Sequence, residues 1–357
     1  MSFLQSNSID ISEFSSNCQI AINWVHRSIQ VNGGKGSSAY YHLLKGWSKP
    51  YPETSGYLIE TLMSSGEEKD RKAALGLGEW LLRIQTSSGA FPGGLGTHGK
   101  PIFFDSGMIL GGLNCVHQFD PEGPWLSPLR ALRVWLIQQL REPSDTNFVS
   151  GYDPTYQVLV LSRLLDSDKL IPISREDLDL IKATFSNYLK RINELSFPTQ
   201  SGFLPDADAL THTLAYSLEG ILKCGLFFEN EKAIQVVKNA LNQLIKKRRE
   251  LGFLPATIDH HWASKDSYCC VVGNCQLSLL MNEMYRISNE NHFLDAAVQL
   301  FVDVAQTAKR RMFVGKNAGV PGSTPIYGAY FRFAFPNWAA KYYIDAFRGL
   351  STRASAK

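Results

Sequence analysis

The sequence has no long hydrophobic run and little net charge. No stretch of about 18 apolar residues occurs, so we expect no membrane-spanning helix. The first residues lack the basic and apolar regions of a secretory signal, which favours a cytoplasmic protein. The net charge of +3 is too small to predict a nucleic-acid partner. The one basic cluster, at residues 246–249, is expected at a helix C-terminus, where positive charge is favourable.

Signature motifs of several enzyme classes are absent as well. There is no P-loop and no GxSxG nucleophile elbow, and the glycines at 93–96 follow a turn rather than the strand of a dinucleotide-binding fold. The six cysteines do not have the spacing of a disulfide framework, which favours a reduced protein. Residues 260–275 contain two histidines and three cysteines, but neither CxxC nor HExxH spacing for zinc. We therefore predict neither a metal nor a cofactor.

What the sequence does contain is a repeat. Six times, a polar or glycine-rich loop leads into an unusually apolar helix, and longer helices with charged faces lie between these segments. The repeat period of roughly 50–65 residues is near the upper end of known periods. The six helix starts are Tyr51-Pro-Glu-Thr-Ser-Gly-Tyr-Leu-Ile, Phe104-Asp-Ser-Gly-Met-Ile-Leu, Tyr152-Asp-Pro-Thr-Tyr-Gln-Val-Leu, Leu210-Thr-His-Thr-Leu-Ala-Tyr, Tyr268-Cys-Cys-Val-Val-Gly-Asn and Pro336-Asn-Trp-Ala-Ala-Lys-Tyr-Tyr.

This alternation predicts an all-α (α/α)6 toroid, a double ring of helices. Helices that are apolar on nearly every face belong inside a fold, and amphipathic helices belong outside. The predicted inner helices are 54–63, 106–117, 154–165, 209–224, 267–286 and 337–348. The predicted outer helices begin at Asp10 and then span 67–86, 127–140, 175–195, 231–249 and 292–311. No linker interrupts the repeat, so we expect one domain over residues 1–357, with a disordered tail at 350–357.

The connections from outer to inner helices are long, whereas the return connections are short. The long connections are residues 31–53, 87–104, 198–208, 251–266 and 313–335. Loops of this length inside a compact domain are usually functional. In a toroid they gather on one rim, where the inner helices begin and their partly positive N-termini meet. The sequence therefore predicts a binding funnel on that rim.

Three rim residues are the predicted catalytic groups. Thr54 already offers a capping hydroxyl beside Glu53, and Asp259 lies in a polar Asp-His-His-Trp loop that needs no cap. Two carboxylates are the minimum for glycoside hydrolysis, so Glu53 and Asp259 form the predicted pair. His212 lies in the first turn of an inner helix, where the helix N-terminus lowers its pKa and suits it to an auxiliary base. A hydrogen-bonded core histidine is the alternative interpretation of His212.

Other rim side chains suit the binding of a sugar. Aromatic rings pack on the apolar faces of pyranose rings, and carboxylates, amides and imidazoles bind hydroxyl groups. Asp105 and Asp153 have a second interpretation as helix N-caps, and any of the rings has a second interpretation as core packing. The predicted substrate-binding residues are Trp47, Tyr51, Asp105, Asp153, Tyr156, Asp208, His260, His261, Trp262, Tyr268, Asn274, Gln276, Tyr327, Tyr330, Asn337 and Trp338.

Three segments of the chain carry a resemblance to known proteins. They are Gly46-Trp-Ser-Lys-Pro-Tyr-Pro-Glu-Thr-Ser-Gly-Tyr57, Tyr268-Cys-Cys-Val-Val-Gly-Asn-Cys-Gln276, and Gly322-Ser-Thr-Pro-Ile-Tyr-Gly-Ala-Tyr330 followed by Pro336-Asn-Trp-Ala-Ala-Lys-Tyr-Tyr-Ile-Asp345. In these segments the chain resembles a poorly characterised toroid family from bacterial polysaccharide gene clusters. The whole arrangement resembles the (α/α)6-toroid superfamily of carbohydrate-active proteins, which includes unsaturated glucuronyl hydrolases, the N-acylglucosamine 2-epimerase group and polysaccharide lyases. The resemblance implies a carbohydrate substrate but supplies no catalytic residue.

The sequence thus predicts an enzyme that acts on a glycan or polysaccharide intermediate by carboxylate acid–base chemistry, as glycoside hydrolases do. One alternative is a uronate lyase or epimerase that uses His212, Tyr268 and a cation from Lys265, Lys316 or Arg332. A terpenoid or peptide cyclase and a non-catalytic glycan-binding protein are further alternatives, because one fold hosts many activities. The DxDD and DDxxD signatures of terpenoid toroids and the WCxG and CHG spacing of lanthionine cyclases are missing.

Overall fold

The chain folds into two concentric rings of helices. The computed structural model describes residues 10–194, 200–311 and 319–354. Within these ranges the inner helices are α2 (Pro52–Met63), α4 (Phe103–Phe119), α6 (Val158–Asp166), α8 (Thr211–Phe227), α10 (Val271–Ser288) and α12 (Asn337–Ala354). The outer helices are α1 (Ser15–Gln30), α3 (Glu68–Ile84), α5 (Leu126–Arg141), α7 (Arg175–Glu194), α9 (Glu231–Leu251) and α11 (Asn291–Arg311). Short 3-10 turns lie at Ile11–Phe14, Thr155–Gln157 and Ser167–Lys169.

The inner ring is closed. Each inner helix packs against the next one in the chain, and α12 returns to pack against α2. An outer helix packs against each inner helix, from α1 on α12 to α11 on α10. This arrangement confirms the predicted (α/α)6 toroid. No helix among the described residues is both long and apolar enough to cross a membrane.

Most helix boundaries lie within a few residues of the prediction. The third inner helix departs from it at its start, because Thr155–Gln157 form a 3-10 turn and α6 begins only at Val158. Helix α12 ends at Ala354, within the segment 350–357 that the sequence predicts as a disordered tail. Residues 355–357 lie outside the described residues, as does Lys316.

Burial separates the two rings. In α4, residues on every face of the helix are buried, from Phe103 through Val116. In α9 the buried residues recur three to four positions apart, at Ala233, Val237, Leu241 and Leu244, and the remaining face is polar. The inner helices therefore form the core, and the outer helices shield it from water.

Glycines let the inner helices approach each other closely. A Cβ atom at Gly112 of α4 would lie 2.1 Å from the carbonyl oxygen of Gly56 in α2. A Cβ atom at Gly220 of α8 would lie 2.5 Å from the backbone nitrogen of Leu159 in α6. Because both obstacles are backbone atoms, any larger residue at these positions would push the helices apart.

Short antiparallel strands, which the sequence did not predict, tie the rim loops together. Strand β1 (Tyr40–His42) pairs with both β2 (Gly46–Trp47) and β7 (Ala334–Pro336). Strand β3 (Ala209–Leu210) pairs with β4 (Thr257–Ile258), and β5 (Cys269–Cys270) pairs with β6 (Ser323–Thr324). In each sheet at least one strand lies just before an inner helix, namely α2, α8, α10 or α12, so the sheets fix where these helices begin.

Ion pairs occupy the opposite end of the barrel. Arg163 of α6 donates to both carboxylate oxygens of Glu60 in α2, at 2.6 and 3.2 Å. Within α8 and α12, two further pairs form one helical turn apart, Lys223 with Glu219 and Lys341 with Asp345, each at 2.7 Å. These six side chains line a cavity of about 350 Å³. A fourth carboxylate of the cavity, Glu283, pairs with Arg286 at 2.9 Å, so all four have a cationic partner.

Candidate active site

The first turns of the inner helices bring ionisable side chains together at the rim. Glu53 lies in the first turn of α2, Asp105 in that of α4, and His212 in that of α8. All three are buried, with 6%, 4% and 5% of their surface exposed. Burying ionisable groups disfavours their charged forms, so a buried cluster of this kind is a candidate functional site.

Glu53 and Asp105 form a carboxyl pair held by Tyr51. The Tyr51 hydroxyl is hydrogen-bonded to both carboxyl groups. The backbone N–H of Gly94 donates to Asp105 Oδ2 at 3.0 Å. Ile102, not Asp105, occupies the N-cap position of α4. The interpretation of Asp105 as a helix cap is therefore wrong, and its carboxylate belongs to the cluster instead.

The two carboxyl groups differ in their affinity for a proton. Burial, followed by repulsion from Asp105, raises the pKa of Glu53 well above its usual 4.5. Burial raises the pKa of Asp105 only to about 6, because the Gly94 N–H and the Tyr51 hydroxyl stabilise its carboxylate. Among the described residues, no lysine or arginine contributes to either shift. Of the two groups, Glu53 therefore holds its proton more tightly than Asp105 does.

His212 is held as a neutral base. Its Nδ1 lies 2.6 Å from Oε1 of Gln276 in α10. Because an amide oxygen only accepts, Nδ1 carries the proton and Nε2 keeps its lone pair. Burial lowers the pKa of His212 to about 4, against the opposing effect of this hydrogen bond. The pKa is low, as expected, but its main cause is burial rather than the helix N-terminus.

Tyrosine rings connect His212 to the carboxyl pair. The ring centroids of Tyr216 and Tyr330 lie 4.6 and 6.0 Å from that of the imidazole. The charge of Glu53 contributes to raising the pKa of both hydroxyls, although burial is the larger cause. Trp338 Nε1 donates to Tyr330 Oη at 2.9 Å and orients that ring. The cluster is therefore contiguous from α2 to α8 and α12.

Tyr156 extends the cluster toward α6. Its ring packs edge-on against Phe104, with 5.0 Å between the centroids. Burial raises the pKa of Tyr156 above its ordinary value, and the charges of Asp105 and Glu53 add to the shift. An aromatic wall with hydroxyl groups next to two carboxyls is the surface expected for a polyol with apolar ring faces.

The predicted amide ligands differ in their surroundings. The Asn337 side chain donates to Ser37 Oγ at 3.0 Å and to Thr54 Oγ1 at 2.8 Å, so it braces the start of α2. Gln276 is the partner of His212. Asn274 is fully buried, and neither atom of its amide has a hydrogen-bond partner in the described part of the chain.

The structure does not bring Asp259 to Glu53. Asp259 Oδ1 accepts hydrogen bonds from the backbone N–H groups of His261 and Ala263, both at 2.8 Å, so it closes a turn of its own loop. His260 and His261 are exposed and pack against each other, with ring centroids 3.8 Å apart. Asp105 therefore takes the position beside Glu53 that the sequence assigned to Asp259.

Several other predicted ligands lie elsewhere on the rim. Asp153 is not an N-cap, because Pro154 occupies that position; its carboxylate accepts from Tyr188 Oη at 2.7 Å and pairs with Arg191 at 3.0 Å. The Trp47 ring packs against Trp24 at 5.2 Å. The remaining predicted side chains are half-buried at Trp262 and Tyr268, and exposed at Asp208, Tyr327, Lys265 and Arg332.

The cysteines show no sign of metal or nucleophile chemistry. Within residues 10–194, 200–311 and 319–354, no group of three or more histidine, cysteine or acidic residues could hold a metal ion. The six cysteines are unpaired, and five of them are buried. Burial raises the pKa of both Cys269 and Cys270 to about 12, so these thiols stay protonated at neutral pH.

Sequence reasoning overlooked two aromatic residues beside the cluster. Phe148 and Phe203 are exposed, and their ring centroids lie 6.4 Å apart. Phe203 lies in a Gly-Phe-Leu-Pro turn. The same turn occurs at residues 252–255, where it follows an outer helix of the repeat. The available signal was a phenylalanine in the polar stretch Asp145-Thr-Asn-Phe-Val-Ser150, where no helix pattern requires an apolar residue.

Comparison with known proteins identifies the fold. No protein-family model matches the sequence, and no curated protein does. Among solved structures, an unsaturated glucuronyl hydrolase specific for heparin aligns with a TM-score of 0.71 at 12% identity, covering 97% of this chain and 99% of that chain. Cellobiose 2-epimerase from Spirochaeta thermophila gives 0.69 at 10% identity, with 96% and 97% covered. A D-mannose isomerase gives 0.68 at 11% identity, with 99% and 100% covered. Each of these proteins shares the toroid with this chain over nearly its full length.

Proposed function

We propose that this chain is a carbohydrate-active enzyme that hydrolyses a glycosidic bond with Glu53 as the acid and Asp105 as the base. The observation that carries the proposal is the buried carboxyl pair, in which burial and repulsion from Asp105 raise the pKa of Glu53 well above 4.5, while burial raises that of Asp105 to about 6. Two carboxyls whose surroundings separate their pKa values are the arrangement that glycoside hydrolysis requires. The similarity to three proteins named for sugar chemistry supports a carbohydrate substrate.

The reaction places each group in one role. Glu53 donates its proton to the glycosidic oxygen as the bond from the anomeric carbon breaks. A water molecule adds to the anomeric carbon, and Asp105 accepts its proton. Tyr51, which is hydrogen-bonded to both carboxyls, keeps them oriented. His212 Nε2 accepts a hydrogen bond from a sugar hydroxyl, because its Nδ1 proton is committed to Gln276.

The test is turnover of a panel of aryl glycosides and natural oligosaccharides by the whole chain. We expect release of reducing sugar by the wild-type protein. Glu53→Gln should lower kcat by about 10²–10⁴-fold, the usual contribution of general acid catalysis. Asp259→Ala is the matched control, because Asp259 only closes a turn of its own loop, and its activity should equal that of the wild type. Equal losses in both variants, or none in either, would contradict the proposal.

A second candidate is epimerisation or isomerisation of a free sugar. The specific observation in its favour is the neutral His212, a base of low pKa beside the carboxyl pair. Two of the compared structures are, by their names, an epimerase and an isomerase. Incubation of reducing sugars in D2O separates the two candidates, since proton abstraction beside a carbonyl introduces deuterium on carbon. Deuterium incorporation without cleavage of any glycoside would favour this candidate over hydrolysis.

A further inference from the structure

Two exposed phenyl rings lie next to the candidate active site on neighbouring loops. Phe148 is 66% exposed and Phe203 is 38% exposed, with 6.4 Å between their ring centroids. Phe148 lies in the loop between α5 and α6, and Phe203 in the loop between α7 and α8. Exposed aromatic residues that cluster beside a candidate site are a mark of ligand contact rather than of folding.

Both loops are fastened to the segment that leads into α6. Gln157 Nε2 donates to Asn147 Oδ1 at 2.7 Å, one residue before Phe148. Tyr152 Oη donates to the carbonyl oxygen of Gly202 at 3.1 Å, one residue before Phe203. The rings are therefore held in place before any ligand arrives, and a preorganised surface loses little conformational entropy on binding.

The two rings are continuous with the carboxyl pair. Phe203 packs against Tyr156 with 6.0 Å between the ring centroids, and Tyr156 packs against Phe104 at 5.0 Å. Phe104 directly precedes Asp105 in α4. An aromatic surface thus leads from the proposed reaction centre outward to Phe148.

Carboxylates lie close to both phenylalanines along the chain. Asp145 precedes Phe148 by three residues, while Asp206 and Asp208 follow Phe203 by three and five residues. Asp206 and Asp208 are exposed. Like charges repel, so these groups disfavour an acidic sugar beside the rings.

We infer that Phe148 and Phe203 form a second sugar-binding subsite, which takes an uncharged pyranose ring adjoining the one that reacts. The inference rests on the proposed function and deepens it. It makes the substrate an oligosaccharide, which extends from the reaction centre along the side of the rim next to α6. The flat rings of Phe148 and Phe203 cover the apolar face of the sugar, and its hydroxyl edge stays in water.

The test is glycan binding to the full chain carrying Glu53→Gln, which blocks turnover. The probes are fluorescently labelled cello- and chito-oligosaccharides of one to four sugars, with oligogalacturonides of the same lengths as the acidic series. For the cello- or the chito-oligosaccharides, we expect the affinity for chains of two or three sugars to exceed that for the single sugar by at least about tenfold. Adding Phe148→Ala should remove about tenfold of that gain, equivalent to about 1.4 kcal/mol, without changing affinity for the single sugar.

Two controls keep the result interpretable. Phe148→Trp retains a flat ring and should retain the gain with length. Val134→Ala removes a similarly exposed apolar side chain from the outer helix α5 and should leave every affinity unchanged. Phe203→Ala should act as Phe148→Ala does; folding of each variant is checked by its unfolding midpoint in urea.

The outcomes separate this inference from the proposed function. If the wild type cleaves aryl monosaccharides but no series gains affinity with length, the subsite is overturned and the proposed hydrolysis stands. If the gain with length is lost in Phe148→Ala while nothing is hydrolysed, the subsite stands and the proposed hydrolysis falls. A larger gain for oligogalacturonides overturns the inference. So does a Phe148→Ala variant that changes a dimer into a monomer and binds glycans as before, since the rings would then be a self-association surface.

Discussion

Glu53 and Glu60 lie seven residues apart on the same helix, α2, in opposite electrostatic surroundings. The rise of an α-helix places them about 10 Å apart along its axis. Glu60 accepts both ends of the Arg163 guanidinium, at 2.6 and 3.2 Å. Glu53 faces the acidic Asp105 and the Tyr51 hydroxyl, and no cation among the described residues contributes to its shifted pKa. One helix thus carries a neutralised carboxylate at one end and an uncompensated carboxyl at the other.

The same contrast holds for the two ends of the barrel. At the far end, burial tends to raise the pKa of Glu219, but the cations of Lys223 and Arg163 lower it to about 2. At the rim, burial raises the pKa of Asp105 to about 6, and no cation among the described residues opposes it. A fold that supplies partners for buried carboxylates at one end could have done so at the other. The missing partner therefore indicates a site kept for chemistry rather than for stability.

The largest expected effect is on activity. Asp105→Asn should lower kcat by about 10²–10⁴-fold, because the proposed base for the attacking water is lost. Glu60→Gln, on the opposite end of the barrel, should leave kcat unchanged at a temperature where the variant is folded. Steady-state kinetics on the best substrate of the glycoside panel measures both. A loss of kcat in Glu60→Gln equal to that in Asp105→Asn would break the distinction between the two ends.

The second effect is on stability, and here the substitution at Glu60 should have the larger effect. Glu60→Gln leaves the Arg163 guanidinium buried without its carboxylate, which should cost about 3–5 kcal/mol in the free energy of unfolding. Urea unfolding of the variant and the wild type measures the cost. The double variant Glu60→Leu with Arg163→Met is the control: removing both charges should restore most of the lost stability. A double variant as unstable as Glu60→Gln would show that the contribution comes from packing and not from charge.

The third effect is the direction in which stability depends on pH. In the folded state the pKa of Asp105 lies above its usual 3.8, so this residue contributes stability that is lost as pH rises from about 4 through about 6. A shift of about two pH units corresponds to about 3 kcal/mol. Asp105→Asn should remove that loss from the pH profile of the unfolding free energy.

Glu219 should behave in the reverse way. Its pKa is lowered to about 2 from the usual 4.5, so its contribution is present above about pH 4.5 and is lost as pH falls toward 2. Glu219→Gln should reduce the pH dependence of the unfolding free energy below about pH 4.5. Asp105→Asn should reduce it above about pH 4. Identical pH profiles for the two variants would contradict the assignment of opposite shifts.

The smallest expected effect concerns the helix spacing on which both ends depend. Gly112→Ala places a methyl group 2.1 Å from the Gly56 carbonyl oxygen, and it should destabilise the protein by about 1–3 kcal/mol. Gly76→Ala is the matched control, since nothing lies within 4 Å of a Cβ at that position in α3. It should stabilise the protein by up to about 1 kcal/mol, because alanine favours helix over glycine. Thermal or urea unfolding of the two variants should therefore shift in opposite directions.

The fold was predictable because its signals are local and repeated. Glycine- and proline-containing turns and an apolar periodicity recur in each helix pair. The predicted span of 54–63 for α2 and the predicted start of α12 at Asn337 therefore lie close to the observed ones. The small strands were not predictable, because strands of two or three residues carry no periodicity. Pairing such as that of Tyr40 with Pro336 depends on the ring closing first.

The site was only partly predictable. Glu53 stood out because Thr54 made a capping role unnecessary, and the structure buries Glu53 at the centre of the cluster. The partnership with Asp105 depends on the register between α2 and α4, which the close contact of Gly56 and Gly112 sets, and no local pattern encodes it. Asp259 resembled a free carboxylate in the sequence because hydrogen bonds to its own loop leave no signature. Phe148 and Phe203 were overlooked because exposed rings do not enter a helical pattern.

The measurement that tests the central claim most directly is a carbon-13 NMR titration of the side-chain carboxyl groups. Protein labelled at the glutamate and aspartate carboxyl carbons would be followed from pH 4 to pH 8, and the two signals identified by their absence in Glu53→Gln and Asp105→Asn. The account predicts that Asp105 titrates near pH 6 and that Glu53 loses its proton at a higher pH than Asp105 does. A Glu53 signal that titrates at its usual value of about 4.5 would contradict the account, because the proposed acid would then lose its proton before the proposed base.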